Sequence, residues 1–286
     1  MSHTDADAFA GLRAAGQRER FQALAEDLAR ADRRRLVSLC LPQARASAVA
    51  ALVRASERDL RVRPCFGRPG ATITARTVEG LELLAKLGAA VGGGVTRLVA
   101  VPGLGREAIL PALLRLPLGD LVSLRLDGQG LTSRRAVLQP GEDNLMVLRD
   151  LGDDPVTRAI ARLPRLEDLR LCDNRIGPGG AAYIAALPKL RRLDLRGNAV
   201  GDAGAVRLAQ CQTLEVLRVE DNCIGPDGAR ALSHATQLQV LDLRRNPIGA
   251  AADLVRRLAP GCEVQLDEGP PPPQRARVLP FPARNL

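Results

Sequence analysis

The sequence predicts an α/β solenoid: parallel strands lining the concave side of a horseshoe, helices on the convex side, and a helical cap at the N-terminus. Three observations predict it. From Leu166 the chain repeats itself as LEDLRLCDNRIGPGGAAYIAALPK, LRRLDLRGNAVGDAGAVRLAQCQT, LEVLRVEDNCIGPDGARALSHATQ and LQVLDLRRNPIGAAADLVRRLAP, with starts at Leu166, Leu190, Leu214 and Leu238, a step of 24 residues (190 less 166). Second, each copy opens on a short LxxLxL segment and closes on a helical pattern, so strand alternates with helix, which requires parallel strands joined by helical crossovers. Third, a fixed period of this size lets each unit bury its apolar face only against its neighbours.

Taken in order, residues 1–35 read as the helical cap. Phe21, Leu24 and Leu28 fall at i, i+3 and i+7 on one helical face behind Phe9 and Leu12, and Gly11 and Gly16 divide the segment into two helices. Such a cap covers apolar surface that the end of a solenoid leaves open. Residues 36–266 read as the solenoid, divergent over 36–165 and regular over 166–266. Its start is placed at LVSLCLPQA because the same spelling returns as LVSLRLDGQ at Leu121. Candidate strands fall at 39–41, 60–62, 72–75, 98–101, 124–126, 145–148, 169–171, 193–195, 217–219, 241–243 and 264–266. Helical patterns begin at Ser47, Thr77, Arg106 and Pro155 between the early ones. RPCFGRPG, within 60–75, is too short for a helix and reads as a hairpin or an irregular repeat. From 267 to 286 the text turns Pro-rich (EGPPPPQRARVLPFPARNL), which excludes helix and central strand and predicts a disordered tail.

Within each regular unit the leucine-type residues of LxxLxL point inward. Asn174, Asn198, Asn222 and Asn246 follow at one fixed position, where an amide side chain can satisfy the backbone of adjacent turns. Ile176, Val200, Ile224 and Ile248 come next as buried anchors. Gly177, Gly201, Gly225 and Gly249 follow them at a tight turn, and a second glycine recurs at Gly180, Gly204 and Gly228 before becoming Ala252. These identical positions read as architecture.

The pattern LxxLxLxxNxIGxxGAxxLA resembles the leucine-rich repeat of the helix-containing, ribonuclease-inhibitor-like class, in a short bacterial form, over 166–266 and more faintly before. The resemblance implies a curved α/β horseshoe, and it implies protein binding, which is the work of most such families. The eukaryotic GTPase-activating protein for the nuclear-transport GTPase uses a similar repeat, so regulation of a small GTPase is the alternative function, although only scaffold positions match it.

Function should therefore lie where the copies differ. With the strands stacked, one concave column reads Asp168, Arg192, Val216, Val240; the next Arg170, Asp194, Arg218, Asp242; the third Cys172, Arg196, Glu220, Arg244, with Arg245 beside it. Neighbouring strands lie about 4.8 Å apart, so opposite charges in one column are expected to pair laterally, for about 0.2–1 kcal/mol each. The charged members, Asp168, Arg170, Arg192, Asp194, Arg196, Arg218, Glu220, Asp242, Arg244 and Arg245, are the candidate contacts for a partner protein. The competing reading is a self-neutralised face that keeps the horseshoe soluble.

Other chemistry is poorly supported. The 41 basic and 32 acidic residues leave a net charge of +9, largest in the first 66 residues, and Lys86 and Lys189 are the only lysines. With four Phe, one Tyr and no Trp there is little on which nucleic-acid bases could stack, so nucleic acid is not expected as a partner. Cys40, Cys65, Cys172, Cys211, Cys223 and Cys262 are far apart, and without a secretory signal reduced thiols in the cytoplasm are expected. No CxxC or HxxxH spacing suggests zinc, and no stretch reaches the roughly 18 apolar residues of a membrane span. His234, at the end of a repeat helix, reads as an exposed helix residue. A dinucleotide-type GxGxxA occurs at Gly103, Gly105 and Ala108, with Asp127 further on, but it falls inside the repeat rhythm. Pro270, Pro273 and Arg275 form a PxxPxR in the tail, read as terminus. The expectation is a monomeric, non-enzymatic, cofactor-free protein scaffold.

Overall fold

The computed structural model describes residues 4–55, 58–66, 68–131, 136–140, 146–150, 155–258 and 261–267. The Pro-rich tail and its PxxPxR lie outside the described residues.

The N-terminal segment is four helices, α1 (Thr4–Ala14), α2 (Arg18–Ala31), α3 (Arg33–Cys40) and α4 (Ala46–Ala55). Gly16, at φ 67°, makes the break between the first two, whereas Gly11 is absorbed within α1. Phe9, Phe21 and Phe66 stack edge-on with centroids 5.0 and 5.2 Å apart. Arg13 packs over the Phe21 ring and donates to the Phe66 and Cys65 carbonyls, each at 3.1 Å. The helices are thereby fastened to the first turn of the sheet. One expectation is corrected here: Leu39–Leu41 belongs to α3 and the turn after it, not to a strand. Asp32 accepts from the Arg35 amide at 2.9 Å and starts the helix, and Leu36, Val37 and Cys40 are buried on one helical face rather than alternating.

The sheet begins with the hairpin β1 (Leu60–Pro64) and β2 (Ala71–Ala75), paired antiparallel with Val62 opposite Ile73. This settles the irregular 60–75 stretch as a hairpin. It continues, all parallel, through β3 (Val95–Ala100), β4 (Ser123–Arg125), β7 (Asp168–Arg170), β8 (Arg192–Asp194), β9 (Val216–Arg218), β10 (Val240–Asp242) and β11 (Glu263–Gln265), in that order. The crossovers are α5 (Val78–Leu87), α6 (Arg106–Arg115), α7 (Pro155–Ile160), α8 (Pro178–Ala185), α9 (Gly201–Ala209), α10 (Pro226–Ser233) and α11 (Ala251–Leu258). Each packs on the next, and the inward leucines Leu98, Leu124, Leu169, Leu193, Leu217 and Leu241 form a continuous core beneath them.

A second correction concerns 145–148. Met146–Asp150 (β6) is a strand, but it pairs antiparallel with Ala136–Pro140 (β5) in a separate two-stranded sheet, while β4 pairs directly with β7. The spacing from Ser123 to Asp168 is 45 residues, close to two repeat lengths, so the hairpin occupies a span that rhythm alone assigns to one more repeat.

What carries the stack from turn to turn is the asparagine row, buried throughout. Asn198 Oδ1 accepts from the amides of Asn174 (3.0 Å) and Ile176 (2.9 Å), and its Nδ2 donates to the carbonyls of Leu171 (2.9 Å) and Leu195 (2.7 Å). Asn246 repeats this toward Asn222, Ile224, Val219 and Leu243. The turns around these residues require left-handed backbone, adopted by Asp173, Arg175, Asp221, Cys223 and Arg245. The helices approach closely at the second glycine. Asp202 of α9 accepts from the amides of Gly225 (2.6 Å) and Gly228 (2.9 Å), capping α10 from the neighbouring turn, and a Cβ at Gly228 would sit 2.9 Å from the Asp202 Cα.

Candidate functional site

The helices cover one face of the sheet and leave the other open. Register decides what the open face shows. Asp168 stands opposite Arg192, which stands opposite Val216, then Val240; Arg170, Asp194, Arg218 and Asp242 align likewise. The columns expected from the repeat are therefore real lateral rows.

The pairing within them differs from the expectation. Arg196 grips Asp194, two residues earlier, with Nε–Oδ1 and Nη2–Oδ2 both at 2.9 Å; Arg244 grips Asp242 in the same way at 2.9 and 2.7 Å. Alternate residues of a strand share a face, and the arginine arm is long enough to fold back and present its planar fork edge-on to the carboxylate. The two aspartates are the buried partners, with side chains 10% and 2% exposed, while the arginine side chains are 36% and 42% exposed. Lateral contact survives only weakly, between Arg244 and Glu220 at 3.6 Å, with Arg245 reaching the same carboxylate at 3.7 Å. Arg170 Nε lies 2.6 Å from Asp127 Oδ2, diagonally across to the previous strand, as an ion pair rather than an aligned hydrogen bond. Asp168 accepts from the Ser123 hydroxyl at 3.2 Å.

Burial pushes the Asp194 carboxyl up, but the Arg196 fork and the Cys172 thiol, which donates to Asp194 at 3.1 Å, outweigh it and hold the group below the ordinary aspartate value. The same thiol is pushed up to about 12, by burial first and by the adjacent carboxylate second, so Cys172 is a hydrogen-bond donor there rather than a nucleophile. All six cysteines are free thiols.

Arg192 and Arg218 stand apart. Both are exposed, and neither side chain has an ion-pair or hydrogen-bond partner among the described residues. The register adds residues that the divergent spelling of the early turns hides. Arg97 aligns with Ser123 and so falls in the Asp168–Arg192 column; Val99 aligns with Arg125, which falls in the Arg170–Arg218 column. Arg61 joins the same face through the hairpin, opposite Thr74. Arg125 was readable in principle, since LVSLRL at Leu121 aligns letter by letter with LEDLRL at Leu166.

The GxGxxA segment has a structural duty. The Leu104 and Gly105 amides, which a bound phosphate would need, donate to Gln129 Oε1 at 3.0 and 3.2 Å, and Gln129 Nε2 donates to the Val101 and Asp127 carbonyls at 2.6 and 3.0 Å. Gln129 also donates its own amide to Asn174 Oδ1 at 2.8 Å, so it is the asparagine row continued into the divergent turns by a longer side chain. His234 lies exposed just past the end of α10. Among the described residues no cluster of His, Cys, Asp or Glu could hold a metal ion, and no helix is long and apolar enough to cross a membrane.

The leucine-rich-repeat family model matches residues 186–209 and 210–233. Among solved structures, internalin C2 from Listeria monocytogenes is similar, with 18% identity and a TM-score of 0.42, over 81% of this chain and 96% of that one. No curated protein sequence matches.

Proposed function

We propose that this chain, built of leucine-rich repeats, is a non-enzymatic scaffold that holds a partner protein on the open face of its sheet, acting as a monomer in the cytoplasm. The observation that carries the reading is the register of that face. Parallel strands present side chains in straight rows, most charges are already neutralised by rigid intramolecular pairs, and exposed arginines remain between them. A surface of that kind recognises by charge and shape at low ordering cost. The candidate contacts are Arg192 and Arg218 directly, with the pairs Asp194–Arg196 and Asp242–Arg244, and Asp168, Arg170, Glu220 and Arg245, forming the surround.

The test blocks the face with neutral bulk. Val216 and Val240 face each other on β9 and β10, half-buried on the open side, and tyrosine is well tolerated in strands. Affinity capture from the native cell should recover a specific protein with the natural chain and lose it with Val216→Tyr/Val240→Tyr at unchanged melting temperature. An identical set of captured proteins from both would overturn the assignment to this face.

A further inference from the structure

We infer that the segment of the partner seated on this face is acidic and extended, and that two arginine diagonals receive it: Arg97 with Arg125, and Arg192 with Arg218. This rests on the reading of the open face as the binding surface. Arg97 and Arg125 occupy adjacent strands β3 and β4, in the first and second columns; Arg192 and Arg218 occupy adjacent strands β8 and β9, in the same two columns. The second diagonal is therefore the first repeated three strands along, since the order between them runs β3, β4, β7, β8, β9. At about 4.8 Å per strand, the two lie about 14 Å apart.

The side chains of all four arginines lack a partner among the described residues, in contrast to those of Arg170, Arg196 and Arg244 on the same face. The Nε of Arg97 is buried and makes no hydrogen bond, so its desolvation is uncompensated until an acceptor arrives. An extended chain advances about 3.3 Å per residue, so carboxylates about four residues apart span the two diagonals and point to the same side. The planar guanidinium suits a carboxylate, and no aromatic ring shares these columns to stack a base. Between the diagonals, on β7, the face places Asp168 and Arg170, whose charge is already paired with Asp127. A uniformly charged polyanion would lie against Asp168, whereas a segment with acidic clusters separated by neutral residues would not.

The probe is a fluorescein-labelled peptide with two Glu-Glu clusters about four residues apart in a Ser/Thr background, followed by anisotropy with the full chain. A peptide of the same length with Gln for Glu, and a single-stranded oligonucleotide of equal charge, serve as comparators. The Glu peptide is expected to bind, more weakly as salt rises. The affinity should drop at least about tenfold in Arg192→Gln/Arg218→Gln and again in Arg97→Gln/Arg125→Gln, both tested because Arg192, Arg218 and Arg125 are exposed and their neutralisation leaves no group unpaired. Unchanged thermal melting shows that each variant folds. Equal binding by the natural chain and both folded variants, or no binding at low salt, overturns the proposal. Oligonucleotide binding as tight as the peptide's and lost in the same variants overturns it in favour of a general polyanion site. If the peptide fails while Val216→Tyr/Val240→Tyr still abolishes capture of the cellular partner, only the acidic chemistry falls and the binding face stands.

Discussion

Arg196 lies against the carboxylate of Asp194, two residues earlier in the chain, through two parallel 2.9 Å hydrogen bonds, and the same carboxylate accepts the Cys172 thiol at 3.1 Å. Two adjacent rows of the open face are thus tied at one aspartate whose side chain is 10% exposed. The charge alternation that looks like a docking code is, at this level of the sheet, mostly internal bracing.

Truncating one member should therefore cost more than truncating both would suggest. Arg196→Ala strands a nearly buried carboxylate. Because a third of the arginine is in water, the expected loss is about 1–3 kcal/mol rather than the 3–5 kcal/mol of a fully buried pair. Asp194→Ala/Arg196→Ala should lose less than the sum of the single variants. Urea denaturation of the four-member cycle measures the coupling; simple additivity would show that the pair does not act as a unit.

Acid should undo the same brace. The Asp194 carboxyl titrates below its ordinary 3.8 in the folded chain, so its contribution is complete above that value and is lost as pH falls through the lowered folded one. The stability gap between the natural chain and Asp194→Asn should be constant from about pH 5 to 8 and shrink below about pH 4. A gap that stays flat into acid would contradict the brace.

The asparagine row predicts a steep cost at a residue that no ligand touches. Asn198→Ala removes acceptors and donors from four backbone groups in the interior and should lower stability by about 2–4 kcal/mol, against less than about 0.5 kcal/mol for the exposed Gln212→Ala. Gln129→Ala should resemble Asn198→Ala, because it holds the same place in the row. Loss of the Gln212 size at Gln129 would mean that the row ends at Asn174.

Cys223 is exposed and sits at φ 56°, a backbone region unfavourable for any residue with a Cβ. Cys223→Gly should raise stability by about 0.5–1 kcal/mol, the relief of strain exceeding the added freedom of the unfolded chain. A lower melting temperature for the variant would show that the turn is not strained there.

The regular turns were legible because their period, leucine spacing and asparagine position state backbone requirements directly. From β7 to β11 the expected strands match to within a residue. The early turns were harder. LVSLC reads like a strand by spelling, yet Asp32 and the spacing of its apolar residues make it a helix. The 145–148 strand exists but pairs with its own hairpin partner. The repeat spelling does not mark Gln129, because asparagine defines the row, although a side chain one methylene longer reaches amides of the preceding turn in the same way.

The sequence by itself determined the repeat, the parallel direction of the regular strands β7 to β11 and the side chains that those regular turns set on the open face, since all three follow from local periodicity. Tertiary structure alone decided which of those charges are spent. Pairing depends on where a long arginine arm lands among neighbours on three strands, a matter of a few tenths of an ångström that no spacing rule encodes. It also brought Arg97 and Arg125 into the columns of Arg192 and Arg218, because residues about a hundred positions apart come into line only when the turns between them stack.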